Sequence, residues 1–379
     1  MSLHYASQFA DENRLSSGRR LLQRFHIDLP LLLGLLALAG TGLFVLYSAG
    51  DQNMELVTRQ GIRLLIAFVV MLTIAQLSPD SIEHWSPWLF GLGLIMLIAV
   101  LAFGDVGKGA QRWLDLGLFR FQPSEIMKIA VPMMIAWYLA EAALPPVRLR
   151  LLMAIIILIV PTLLVAKQPD LGTALLIASS GIFVLLLAGM RWRIVFAVLI
   201  LLAASTPLAW NYLLHDYQRQ RVLTFLTPEN DPLGAGYHII QSTIAIGSGG
   251  SYGKGWLNGT QSHLDFLPER STDFVFAVFS EEFGFLGTLL LLGLYTFIIA
   301  RGLYIAAQAQ DTYCRLLAGS ITLTFFVYVF VNIGMVSGLL PVVGVPLPLV
   351  SYGGTSIVTL MAAFGILMSI QTHRKLIPT

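Results

Sequence analysis

Leu152-Met153-Ala154-Ile155-Ile156-Ile157-Leu158-Ile159-Val160-Pro161-Thr162-Leu163-Leu164-Val165-Ala166 carries a single polar side chain, Thr162. Strands of a membrane barrel alternate lipid-facing and lumen-facing residues, so an unbroken apolar run of this kind argues for a helix in a bilayer. Nine further runs share its character, near 30 to 48, 62 to 77, 86 to 103, 125 to 140, 172 to 189, 194 to 212, 274 to 300, 316 to 340 and 350 to 370. Each approaches the ~20 residues that a spanning helix needs. The expected fold is an all-α integral membrane protein, a polytopic bundle of about ten transmembrane helices with a large outer loop between the seventh and eighth. Composition agrees: 56% of residues are hydrophobic and 12% charged, with mean hydropathy +0.76, whereas soluble domains carry about 25% charged residues.

Directly behind the quoted run stands Gln168-Pro169-Asp170, and three other apolar segments also begin behind a proline with polar residues around it. They are Gln122-Pro123-Ser124-Glu125, Leu267-Pro268-Glu269-Arg270-Ser271-Thr272-Asp273 and Leu347-Pro348-Leu349-Val350-Ser351-Tyr352. Proline is favoured in the first turn of a helix, where unpaired N–H groups and the positive dipole end attract anions. Counting spans puts all four starts on one membrane side, an arrangement suited to a charged phosphate group.

Orientation is read from short loops, since cytoplasmic loops are enriched in Lys and Arg. Arg14, Arg19, Arg20 and Arg24 precede the first span, and Arg148/Arg150, Arg191/Arg193, Arg301/Arg315 and Arg374/Lys375 fall on the same side. Cations divide almost evenly between the sides, but those at the outer ends, such as Arg112, Arg221 and Arg270, sit among carboxylates and read as a polar site. Both termini are therefore expected in the cytoplasm of a cell with a cytoplasmic (inner) membrane, with the site on the outer face. Residues 1–27 read as a polar cytoplasmic arm, 28–372 as one transmembrane domain that includes an extracytoplasmic loop over 213–272, and 373–379 as a cytoplasmic tail. Arg19-Arg20 mimics a twin-arginine export signal, yet no small-residue cleavage site follows and nine more spans come after. Cys314 is the sole cysteine and the seven histidines show no HxxxH or HExxH spacing, so neither an intrachain disulfide nor such a metal motif is expected.

A structureless connection as long as 213–272 is unusual unless functional, so short interfacial helices are expected around Tyr237 to Ile246. The run Gly247-Ser248-Gly249-Gly250-Ser251-Tyr252-Gly253-Lys254-Gly255 fails the phosphate-loop pattern, which requires Gly where Ser248 stands and Ser or Thr where Gly255 stands. It reads either as a flexible hinge or as a backbone nest, with Lys254, for a lipid-linked phosphate.

Asp273 is the carboxylate to single out, because it lies where the long polar loop enters the apolar run Phe274-Val275-Phe276-Ala277-Val278-Phe279, and desolvation there would raise its basicity. A helix-cap role is better filled by Ser271 or Thr272. Glu125 and Lys128, three apart, share one helical face and should pair within an outward-facing polar cavity that includes Gln111, Arg112 and Gln122. Glu281 and Glu282 follow Asp273 by eight and nine residues, about 12 Å deeper along an ideal helix, as caps of an internal cavity or proton relays.

Several of these stretches are similar to one family. Lys108 through Trp113, Phe121 through Glu125, Gln168 through Thr173, Tyr217 through Arg221, Phe266 through Phe274, and Pro346-Leu347-Pro348 with Ser351 through Gly354 resemble the shape, elongation, division and sporulation glycosyltransferases, and in particular their cell-elongation branch. The likeness runs from about Asp28 to Lys375. It implies polymerisation of lipid II, an undecaprenyl-pyrophosphate disaccharide-pentapeptide, into a nascent glycan strand at the outer face. It also implies a class B penicillin-binding protein transpeptidase as partner, touching the ninth span and the large loop, and no nucleic acid. Asp273 falls on the family's essential aspartate, Glu125 and Lys128 on its polar pair, and Arg112 and Asp170 on other cavity positions. Gln122, Ser124, Thr173, Arg219, Arg221 and Ser351 lie within the matching motifs as candidate substrate contacts.

The residues suit that chemistry in their own right. A sugar hydroxyl is a poor nucleophile unless a base accepts its proton, and Asp273 is the candidate. A pyrophosphate leaves without an added proton, but its charge must be stabilised, by Arg112, Lys128, Arg221 and helix ends or by a divalent cation (Mg or Mn) on Asp273 or Glu125. Two other classes stay open: a flippase for lipid-linked sugars using Glu281 and Glu282, and a scaffold whose Gly334-Met335-Val336-Ser337-Gly338 receives a partner's membrane helix.

Overall fold

The structure, a computed structural model, describes residues 26–107, 110–115, 120–208, 210, 216–230, 235–263 and 269–373. In chain order the helices are α1 (Leu29–Ala49), α2 (Met54–Ala75), α3 (Pro79–Phe103), α4 (Pro123–Ala140), α5 (Arg148–Lys167), α6 (Leu171–Leu187), α7 (Trp192–Leu208), α8 (Asp216–Leu226), α9 (Ala235–Ser248), α10 (Thr260–His263), α11 (Val275–Ala307), α12 (Thr312–Val336) and α13 (Thr355–Thr372). Each expected apolar run holds a helix. Seven of them, α1, α2, α3, α5, α11, α12 and α13, are long and apolar enough to cross a membrane, and α6 is a shorter apolar helix. Between α3 and α4 the chain makes a small antiparallel sheet, β1 (Asp105–Gly107), β2 (Ala110–Asp115) and β3 (Arg120–Phe121), where the sequence reading assigned no element.

α12 is the axle of the bundle. Seventy-two per cent of its apolar window is buried, against 22% for α2, α3 and α11, and it packs on α4, α6, α11 and α13. α1 opens on Asp28, whose side chain accepts from Leu31 N and forms a paired bond with Arg301 of α11, Nη2 to Oδ2 at 2.5 Å and Nε to Oδ1 at 3.1 Å. That partnership lets two charges sit at the predicted inner end of an apolar bundle.

Two irregular features at the other end shape the site. The segment between α12 and α13 dips between helices. Leu347, Leu349 and Val350 are buried, Pro348 O accepts from Tyr295 Oη of α11 at 2.7 Å, and a Cβ on Gly42 of α1 would meet Leu349 O at 2.4 Å. Pro348 is thus part of this re-entrant segment rather than the first turn of a helix, since α13 starts only at Thr355. The second feature is a break in α11 at Gly284, with φ 63° and ψ −161°.

The long connection after α7 carries α8, a 3-10 turn Pro228–Asn230 and α9, which covers the stretch where interfacial helices were expected. α9 packs on α11 and α12, and Ser242 Oγ donates to Val336 O at 2.8 Å.

Candidate active site

Three chain segments meet at the predicted outer end. Pro123 takes the first position of α4, where its missing N–H costs nothing. Gln122 stands at the N-cap of α4 without capping it, because its Nε2 reaches across to Asp170 Oδ2 at 2.9 Å. Asp170 caps α6 through Oδ1, which accepts from Thr173 N at 3.2 Å. Arg112 of β2 donates to the carbonyls of Gln168 (3.3 Å) and Pro169, with Nε 3.9 Å from Asp170 Oδ2. Sheet, α4 and α6 are thereby tied around one carboxylate.

Beside this knot lies a polar cavity of about 270 Å³, lined by Arg112, Gln122, Glu125, Lys128, Asp170, Thr173 and Tyr328 together with Gly344 to Pro346 and Gly354 to Ser356. Lys128 Nζ is 2.7 Å from Glu125 Oε1 and 5.3 Å from the Tyr328 ring centroid. Glu125 Oε2 and the buried Ser124 Oγ make no hydrogen bond. A buried acceptor without a donor is costly, so Glu125 is poised to take a hydrogen bond from a bound molecule.

Asp273, in the turn just before α11, is not itself a lining residue of this cavity but lies beside one of them, Gly344. A Cβ built on Gly344 would stand 3.5 Å from Asp273 Oδ2, an ordinary contact distance, so the carboxylate lies against this lining residue, whose φ of +79° is what calls for glycine. Its backbone is gripped: Asn332 Nδ2 donates to Asp273 O at 3.0 Å and to Val345 O at 2.7 Å. Asn332 was missed by the sequence reading, although a lone amide within the apolar run of α12 is a signal in itself.

Other expectations change. Ser351 is buried and its hydroxyl is fully engaged, accepting from Leu347 N (2.8 Å) and donating to Thr272 O (2.6 Å), while Tyr352 N donates to Ser271 O at 2.8 Å. Ser351 therefore positions the Asp273 turn and has no hydrogen left to give a substrate. Thr272 bonds back to Glu269, and α11 starts with no side-chain cap. Neither Ser271 nor Thr272 fills the expected cap role. Lys254 lies outside the cavity lining and its ammonium is held by Glu281 Oε1 and Thr260 Oγ1, each at 2.7 Å. Glu282 accepts from Ser48 Oγ, one residue before the end of α1, so both glutamates sit near the predicted outer end of the bundle instead of deep within it.

Gly334 and Gly338 do not form an open GxxxG face. A Cβ on Gly334 would meet Leu340 Cδ1 at 2.7 Å, and Gly338, with φ +73°, lies just past the end of α12 against Ile239 and Thr243 of α9. Arg219 lies on α8, away from the cavity lining. Arg221 is on the same helix, with its side chain outside the described residues, as are Lys108 and Pro268. Among the described residues no three His, Cys, Asp or Glu gather as a metal site. A divalent cation at Asp273 or Glu125 would therefore need oxygens from the substrate's own phosphates, a common arrangement for magnesium.

A helical bundle with a charged cavity cut into one rim, in which Glu125 pairs with Lys128 along one helix and Asp170 with Arg112 and Gln122 across elements, defines a polytopic membrane protein with a built polar site. The FtsW, RodA and SpoVE model of cell cycle proteins matches residues 20–376, and the chain belongs to this family. It is 56% identical over 354 residues to the peptidoglycan glycosyltransferase MrdB of Escherichia coli (strain K12), covering 93% of this chain and 96% of that protein. To the peptidoglycan glycosyltransferase RodA of Treponema pallidum (strain Nichols) it is 33% identical, over 92% and 98% of the two chains. Among solved structures, a chain from work titled "Structural coordination of polymerization and crosslinking by a peptidoglycan synthase complex" superposes with a TM-score of 0.80 at 33% identity, covering 92% of this chain and 98% of that one. The rod shape determining protein RodA of Thermus thermophilus gives 0.70 at 27% identity, over 92% and 98%.

Proposed function

We propose that this chain, a peptidoglycan glycosyltransferase, polymerises lipid II into glycan strands during rod-shape elongation, with the reacting groups in and beside the cavity between α4, α6 and the 342–356 segment. The observation that carries the reading is the contact of the Asp273 carboxylate with Gly344, a lining residue of the cavity that also holds Glu125, Lys128 and Arg112. An acceptor hydroxyl attacks the donor's anomeric carbon, the new glycosidic bond forms, and the bond to the lipid pyrophosphate breaks with inversion. Asp273 takes the hydroxyl proton, while Lys128 and Arg112 offset the charge on the departing diphosphate.

A magnesium or manganese ion shared between Asp273 and the diphosphate would supply the same charge stabilisation. The reading also places the site at the outer face of the inner membrane, with both termini cytoplasmic, and gives the chain a crosslinking transpeptidase as partner. Transport is less well supported, because its carboxylates Glu281 and Glu282 lie near one end of the bundle and Glu281 is already paired with a lysine. Asp273→Ala should lower strand synthesis from purified lipid II by about 10²–10⁴-fold, the usual worth of a general base, while the protein still folds and inserts. Normal polymerisation by that variant would overturn the assignment.

A further inference from the structure

The glycine-rich run left over from the sequence has a clear place. At the α11 break, Phe285 N and Leu286 N cannot reach the carbonyls of Glu281 and Glu282 one turn back. Instead Phe285 N donates to Gly250 O (2.9 Å) and Leu286 N to Ser251 O (3.1 Å), while Lys254 N donates to Glu281 O (3.0 Å) and Gly255 N to Glu282 O (3.0 Å). The loop 250–255 thus replaces two helical hydrogen bonds with four of its own. Glycine is required for the approach: a Cβ on Gly253 would stand 2.1 Å from Glu282 O, and one on Gly249 2.1 Å from Ser280 O.

Charge adds to the backbone match. The Glu281 side chain is fully buried and accepts from Lys254 Nζ, from Thr260 Oγ1 at 3.0 Å and from Gln261 N at 3.1 Å. Trp256, directly after the loop, stacks on Phe44 of α1 with ring centroids 4.2 Å apart, and its indole N–H donates to Phe44 O at 3.3 Å. One short loop therefore joins α1 to the stretch of α11 that follows Asp273. That stretch, residues 275–283, is too short to hold a direction alone, so its orientation depends on the packing around it, α9 included, and on what holds its two ends. Asn332 and Ser351 hold the first end, and the loop holds the second.

We infer that the 249–255 loop is a clasp that sets the position of Asp273, and that Lys254 and Glu281 are positioning residues for the transfer reaction although neither lines the cavity. The inference rests on Asp273 being the reacting carboxylate. A displacement of about 1 Å at a reacting group is worth about 10²-fold in rate, and a clasp failure reaches Asp273 through only two helical turns.

The test uses full-length protein in nanodiscs with lipid II, measuring kcat and KM together with hydrogen exchange of residues 249–255 and 283–286. Lys254→Met should speed exchange in both segments and lower kcat by about 10–100-fold with little change in KM, and Lys254→Arg should restore most of the rate. The double variant Lys254→Met/Glu281→Gln, which removes the stranded carboxylate, should fold well and still be slow. A raised KM with unchanged kcat in Lys254→Met would make Lys254 a substrate contact and overturn the inference, as would faster exchange with full kcat. Asp273→Asn run alongside separates the two claims: full activity there removes the base assignment, whereas loss there with full kcat in Lys254→Met removes the clasp alone.

Discussion

The two halves of α11 share one apolar composition and do different work. From Val275 to Glu282 every residue is buried, whichever way it points. Beyond Gly284 burial follows a stripe, Leu291, Tyr295, Ile298, Gly302 and Ile305, while Phe285, Leu286, Leu289, Leu290 and Phe297 are exposed. Spacing of three and four residues is the signature of a helix with one face on its neighbours, and the outer face is what a bilayer would cover. The first half has no such face because the re-entrant segment, α9 and the clasp loop enclose it. Hydropathy reports the shared character, and only enclosure separates a strut from a support for the site.

The strongest way to break this contrast is at glycine. Gly284 has a backbone conformation that side chains rarely adopt, and a Cβ there would stand 2.3 Å from Gly253 N. Gly284→Ala should add about 1–3 kcal/mol of backbone strain and expel the loop, lowering the melting temperature and abolishing polymerisation. Gly293 in the second half has nothing within 4 Å of the same added atom. Gly293→Ala should be tolerated or stabilise the helix by about 1 kcal/mol. Equal behaviour of the two variants in a melting assay would erase the distinction between halves.

Asn332 sharpens the comparison from the site side, since one amide holds both the Asp273 turn and the Val345 wall. Asn332→Ala removes the amide donor from the buried Val345 carbonyl and the part-buried Asp273 carbonyl, a cost of about 1–3 kcal/mol. Its larger expected effect is on rate, a fall of about 10-fold or more in kcat with KM little changed, read from initial rates against lipid II.

How much of this was legible depends on whether a signal is local. Apolar runs are local, and every one of them holds a helix. So is the pairing of Glu125 with Lys128, three residues apart on one turn; the meeting of Gln122 with Asp170 followed from helix starts counted onto one side, and the place of Arg112 from its neighbours and from the family resemblance. What the sequence hid depends on contacts between distant segments. Ser351 looks like a substrate hydroxyl until Thr272 O, 79 residues away, is seen to take its hydrogen. Lys254 looks like a phosphate ligand until Glu281 is found beside it, and the depth of the two glutamates was misjudged because a count along one helix cannot show that Glu282 meets Ser48 at the end of α1. The small sheet was missed because its strands, of three, six and two residues, are too short for alternation to show.

The mildest test lies in the second half of α11. Tyr295 is buried and its hydroxyl donates to Pro348 O at 2.7 Å. Tyr295→Phe keeps the ring and its packing but leaves that carbonyl without its donor, at a cost of about 1–3 kcal/mol. The re-entrant segment is also held by Gln60, whose Nε2 donates to Ser351 O at 3.2 Å, and by Arg63, which donates to Gly353 O at 3.1 Å. With those holds intact the wall at Gly344 should keep its place. The variant should therefore melt at a lower temperature yet retain kcat within about twofold, far from the range expected when a group that orients Asp273 is lost. A loss of rate as deep as that of Asn332→Ala would mean that the second half of the helix also sets the site, through Pro348 and the cavity wall.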